Sequence, residues 1–141
     1  MGRVLCATRG GKASYRTQDA AIALAKERGD ELAFLFVVDV GFLKRSRRAV
    51  RPEVVTAEMT RMGEFLLQMA RERAESQGMD TGVLLRCGHL QEALKAAALE
   101  HRADLLVLGR PAGDESAYAF KELENLAADI GSETGIEVLI L

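Results

Sequence analysis

The sequence has no tryptophan, two prolines, two cysteines and two histidines in 141 residues, and aromatic side chains make up only 5% of it. Two cysteines far apart, Cys6 and Cys87, exclude a disulfide-built scaffold, and each lies beside an apolar run where free thiols behave as small buried hydrophobes. Cys87-Gly88-His89 offers two metal ligands with no second pair to complete a zinc set, so no metal is expected. Nothing approaches the roughly 18 apolar residues of a membrane span, and the start lacks the basic, apolar and cleavage regions of a secretion signal, which together predict a cytoplasmic location. Met1-Gly2 opens like a myristoylation signal, but Cys6 stands where that signal needs Ser or Thr. A large charge of either sign is missing too: 19 Lys and Arg against 21 Asp and Glu give −2, which argues against a nucleic-acid coating protein. Neither G-x-x-x-x-G-K-[ST] nor a G-x-G-x-x-G after the first strand is present, and the G-x-S-x-G elbow of a serine nucleophile is absent. No carboxylate pair is set in apolar surroundings that would split acid from base roles, so no catalytic residue is assigned.

What is present is a globular composition, 48% apolar and 28% charged, of a length that fits one domain over residues 1–141. Five short apolar runs read as strands buried on both faces: 3–8, 32–38 (LAFLFVV), 83–87, 103–108 (ADLLVL) and 138–141 (VLIL). Helical spacing fills the gaps. Thr17, Ala20, Ala21, Leu24 and Ala25 share a face of a helix over 15–28 that stops at Gly29, and a second begins near Pro52 and ends by Gly78. That second helix places Val55, Met59, Met62, Leu66 and Met69 in a stripe suited to packing or to a partner. Further helices are predicted over 90–101 and 118–130, with His101 a surface or capping residue. Alternation of strand and helix predicts an open α/β sheet of mostly parallel strands with right-handed crossovers. Ligands bind such sheets at the carboxyl ends of the strands, which directs attention to the loops after Thr8, Val38, Arg86 and Leu108.

The first of these loops is Thr8-Arg9-Gly10-Gly11-Lys12-Ala13-Ser14. Paired glycines let backbone N–H groups face an anion at a helix N-terminus, with Arg9 and Lys12 adding charge; the same residues also make a plain turn capped by Ser14. Asp39 ends the second strand as a turn residue. After it, Gly41 to Arg51 carries Lys44, Arg45, Arg47, Arg48 and Arg51 and no acid, either a solvated loop or a dock for an acidic protein partner; with only Phe42 for stacking, nucleic acid is not expected. Gly109, Arg110 and Gly113 follow the fourth strand, where glycine permits close approach of a ligand and also simply makes turns.

These features together resemble the universal stress protein family along essentially the whole chain. The likeness lies in VLCATRGGKAS with its alanine-rich helix, ELAFLFVVDV, Gly88 before the third helix, ADLLVLGRPAG and the closing VLIL. It implies a Rossmann-like five-stranded parallel sheet of order 3-2-1-4-5 with helices on both faces, and a homodimer paired through the last strand, here Val138, Leu139, Ile140 and Leu141. By the same resemblance Val37 lies where the family contacts adenine, and Thr8 beside the ribose. The family's nucleotide-binding members carry an acid after the first strand and G-x-x-G, nine residues, G-[ST] after the fourth. Arg9 reverses that charge. Three residues separate Gly109 from Gly113, and nine further residues lead to Leu123-Glu124, or to Glu124-Asn125 when the closing strands are aligned. A side chain with a negative charge at Glu124 disfavours a triphosphate.

The resemblance therefore implies a stress or signalling module that does not bind or hydrolyse ATP in the usual way, with no obligate cofactor. Between Ala112 and Glu137, seven acids stand against Lys121 alone, so Arg9 or Arg110 is expected to pair with an acid and fill the cleft. The alternative is a binder of AMP, cyclic AMP, pyrophosphate or another small anion through Thr8, Arg9, Gly10, Gly11, Lys12, Val37, Gly109, Arg110 and Gly113. GGKAS also looks like the S-G-G-x-D-S loop of the ATP pyrophosphatases, although Arg9 and Ala13 break that motif.

Overall fold

The computed structural model describes residues 2–9, 12–39, 52–110 and 116–141. Strands and helices alternate along these residues as β1 (Arg3–Ala7), α1 (Lys12–Arg28), β2 (Glu31–Asp39), α2 (Pro52–Ser76), β3 (Gly82–Gly88), α3 (Leu90–Glu100), β4 (Leu105–Leu108), α4 (Ser116–Thr134) and β5 (Glu137–Ile140). The strands form one sheet in the order β3-β2-β1-β4-β5, and every neighbouring pair is parallel. This is the expected order.

Parallel strands need crossovers, and the helices that supply them cover both faces of the sheet. Alternate residues of each strand therefore serve two cores. Val4, Cys6, Phe34, Phe36, Leu105 and Val107 pack with Ala21, Ile22 and Ala25 of α1 and with Leu67, Ala70 and Ala74 of α2. Leu5, Leu35, Leu106 and Leu108 pack on the other side with Leu94, Ala97 and Ala98 of α3 and with Leu123 and Ile130 of α4. The unbroken apolar runs in the central strands follow from this double burial.

Helix ends were largely legible. Gly29 and Gly78 adopt φ of +70° and +83°, the left-handed conformation that closes a helix and that glycine adopts without a Cβ clash. At the other end of α1 the helix begins at Lys12, three residues before the expected start at Tyr15, so Ser14 lies inside the first turn and does not cap it. His101 does cap: it is the C-terminal cap of α3, and its N–H donates to the Ala97 carbonyl at 2.9 Å.

α2 keeps part of the expected face, since Met59 and Leu66 of the predicted stripe pack against the core. Its buried residues are Gly63, Leu67, Ala70 and Ala74, while Met62 of the predicted stripe is 51% exposed. Small residues let the helix lie close on the sheet, and at Gly63 an added Cβ would sit 2.5 Å from Phe36 Cδ1. Large methionines cannot occupy that contact, so they flank it. Among the described residues no helix is long and apolar enough to cross a membrane.

Candidate functional site

A cleft of about 410 Å³ opens at the carboxyl ends of β1, β2 and β4, where the sheet order reverses between chain halves. β1 delivers Ala7, Thr8 and Arg9; β4 delivers Leu108, Gly109 and Arg110; β2 contributes Leu35, Phe36, Val37 and Asp39. The first turns of α1 add Ala13, Ser14 and Thr17, and leucines from α3 and α4 form the inner wall.

Several hydrogen bonds fix this rim. The Thr8 N–H donates to the Leu35 carbonyl at 2.8 Å, which extends the β1–β2 ladder one residue beyond the strand. Gln18, only 2% exposed, donates from Nε2 to Thr8 Oγ1 at 2.9 Å. Thr17 Oγ1 donates to the Leu141 carbonyl at 3.3 Å, and the Arg110 N–H reaches the same oxygen at 3.0 Å. Gly109 passes so close to α1 that a Cβ there would lie 2.9 Å from Thr17 Oγ1, so glycine is required at this point by space.

The sequence expectation pairs one of the two arginines at the mouth with an acid of the segment from Ala112 to Glu137. Among the described residues, no carboxylate comes within ion-pair distance of Arg9 or Arg110. Of the acids expected to fill the cleft, Glu133 instead pairs with Lys95, and Glu122 and Glu124 are exposed on α4. Asp114 and Glu115 lie outside the described residues. The Arg110 guanidinium rests over the Phe120 ring, 5.3 Å from its centroid, a cation–π contact that holds it at the rim without neutralising it. Among the described residues the charged lining of the cleft is Arg9, Arg110 and Asp39.

Thr8, Arg9, Val37, Gly109 and Arg110 all line this cleft. Lys12, the first residue of α1, is exposed and is not part of the lining. Gly10, Gly11 and Gly113 lie outside the described residues, as does the basic stretch with Lys44, Arg45, Arg47, Arg48 and Arg51. Glu124 does not line the cleft either. At that level of α4 the lining residues are Leu123 and Leu126, because a helix starting at Ser116 turns Glu124 outward. Sequence reasoning missed this leucine wall, together with Phe36 and Met59, since apolar positions that line a cleft and those that fill a core carry the same periodicity.

Other candidates disperse. Among the described residues, no three His, Cys, Asp or Glu side chains gather as a metal site. Cys6 is buried in the core, and the loss of solvation pushes its thiol up to about 12; Cys87, expected to be buried, is exposed on the edge strand β3. His89 caps the N-terminus of α3 without a side-chain hydrogen bond. Burial and then the nearby Arg3 charge hold the His101 imidazole below its ordinary range, beside the amino end of β1 and away from the cleft.

The model of the universal stress protein family matches residues 1–123. Among solved structures, a protein of that family from Burkholderia pseudomallei superposes with a TM-score of 0.74 at 22% identity, over 99% of this chain and 95% of that one. A universal stress protein in complex with cAMP gives 0.72 at 25% identity, over 99% and 96%. The universal stress protein from Archaeoglobus fulgidus in complex with dAMP gives 0.64 at 14%, over 99% and 97%. Among curated proteins, none matches the sequence.

Proposed function

Because the chain belongs to the universal stress protein family, we propose that it is a ligand-binding module of the stress or signalling kind that holds a small anion or mononucleotide, and that it has lost the family's usual ATP site. The observation that carries this reading is the open cleft whose mouth sets Arg9 and Arg110 together, without a carboxylate partner among the described residues.

Guanidinium groups bind phosphate and carboxylate through paired N–H donors, and two of them at the mouth of an apolar cleft favour an anionic ligand end. Support against the usual ATP contacts comes from Arg9, which stands where the resemblance expects an acid, and from the altered spacing of Gly109 and Gly113. Relatives of the same fold have been solved with cAMP and dAMP, ligands with one phosphate.

Calorimetric titration with ATP, AMP, cyclic AMP, pyrophosphate and sulfate tests the proposal. A ligand that binds only the native state also raises the melting temperature, which gives a second readout. Binding of a monophosphate or pyrophosphate, weakened roughly tenfold or more in Arg9→Ala and in Arg110→Ala, is the expected result. Tight ATP binding that survives both substitutions would defeat the reading.

A further inference from the structure

We propose that the free edge of β3 is a strand-pairing surface for a second copy of this chain, and that Arg86 holds it closed.

The hydrogen-bond ladder shows which groups lie on that edge. The Thr8 N–H donates to the Leu35 carbonyl, so Leu35 turns its backbone toward β1 and, by the alternation of a strand, Phe34 and Phe36 turn theirs toward β3. Phe36 lies level with Leu85, and in a parallel ladder it bonds the residues on either side, Leu84 and Arg86. The N–H and C=O groups of Val83, Leu85 and Cys87 therefore point outward. Among the described strands β3 pairs with β2 alone, and Arg86 is its one charged residue. Seven residues long, with Val83 39% exposed and Cys87 exposed, it has the length and chemistry of an edge to which another strand adds. The outward set is symmetric about Leu85, so a two-fold axis there matches every outward residue of one copy with an outward residue of the other.

Arg86 lies across this edge. Its Nη1 donates to the outward Leu85 carbonyl at 2.9 Å, while Nη2 stands 3.6 Å from Glu100 Oε2 at the end of α3. An arriving strand needs that carbonyl for its own N–H, so it must displace a guanidinium that Glu100 anchors. In an antiparallel pair of two β3 strands centred on Leu85, each Arg86 faces Leu84 of the other copy, and the two guanidinium groups become diagonal neighbours on one face of the sheet. Like charges so placed repel. Against a second copy the block therefore acts twice, once on each side of the axis.

Cys87 reports on this edge directly, because its backbone faces the incoming strand. Thiol labelling at rising protein concentration, with sedimentation alongside, tests the inference in the parent, in Arg86→Ala, and in Arg86→Ala with Val83→Pro, which lacks one outward donor and keeps the β2–β3 ladder. Expected is concentration-independent labelling of Cys87 in the parent. In Arg86→Ala the labelling should slow at least about threefold between low and high micromolar protein as larger species form, and Val83→Pro should restore the parent's rate. Glu100→Gln, on the surface of α3, loosens the guanidinium without altering β3 and should shift labelling in the same direction by a smaller factor. If Arg86→Ala and Glu100→Gln both label at the parent's rate at every concentration, Arg86 closes nothing and the inference falls. It falls too if the parent itself slows, since the edge is then open, or if Arg86→Ala associates with no slowing at Cys87, since another surface is then in use.

Discussion

At the scale of single residues, Gly63 is the position most sensitive to one added methyl. In an exposed helix interior, Gly→Ala stabilises by up to about 1 kcal/mol. Here the new Cβ would lie 2.5 Å from Phe36 Cδ1 and 3.0 Å from Leu85 Cδ1, and Phe36 is itself 7% exposed, so it has little room to withdraw. Overpacking of this kind costs about 1–3 kcal/mol. Gly63→Ala is therefore expected to lower the denaturant midpoint, and to weaken ligand binding as well, because Phe36 lines the cleft. The cysteines supply a second residue-scale prediction. Cys87 is exposed, whereas Cys6 is buried with its thiol pushed up to about 12, so a thiol reagent should label one site quickly and the other only on unfolding. Cys87→Ser should remove the fast phase alone. The expected order 3-2-1-4-5 already put β3 at the sheet edge, and Arg86 and Gly88 flank Cys87 where Leu5 and Ala7 flank Cys6, so this contrast was within reach of the sequence.

Between elements, the tie from α1 to α2 is polar and its pH dependence follows from its geometry. Arg73 of α2 donates from Nε and from Nη2 to the two oxygens of Asp19, at 2.7 and 2.8 Å, Gln77 donates to Asp19 Oδ1 at 2.9 Å, and Arg73 lies 4.3 Å over the Tyr15 ring. The Arg73 hydrogen bond is the main cause that holds the Asp19 carboxyl below the ordinary carboxylate range. A carboxyl lowered in the folded state contributes stability above its unfolded value of about 3.9, and that contribution is lost as pH falls through the lowered value. Asp19→Asn should therefore be less stable than the parent at pH 6, with the difference shrinking steadily below about pH 4, as denaturant titrations at several pH values would show. A parallel offset at all pH values would refute this assignment. Helix boundaries were legible from Gly29, Pro52 and Gly78, and the face that α2 buries was legible in part, through Met59 and Leu66. Hydrophobicity pointed to Met62, whereas close approach to the sheet selected Gly63, Ala70 and Ala74.

For the molecule as a whole, strand order and the location of the cleft follow from one another. Central strands that read as continuous apolar runs must be covered on both faces, crossovers then fix parallel pairing, and the reversal between chain halves opens the cleft at the carboxyl ends of β1 and β4. That much was legible, and so were Arg9 and Arg110. That no acid pairs with them among the described residues was not, because pairing depends on which way α4 turns its carboxylates. The same sheet leaves β5 at an edge, pairing only with β4 among the described strands, with Val138, Leu139 and Ile140 half-buried. An apolar edge strand is a template for association, and pairing with a second copy would complete it. The Leu141 N–H donates inward to the Leu108 carbonyl, so by the alternation of a strand the Ile140 N–H points outward. Ile140→Pro removes that outward donor and none of the donors in the β4 ladder. Sedimentation across a range of concentrations should show a dimer for the parent chain and a monomer for Ile140→Pro, with both cooperatively folded. A parent chain that stays monomeric at every concentration would mean that the half-buried edge is protected by other means, and that the cleft works within a single copy.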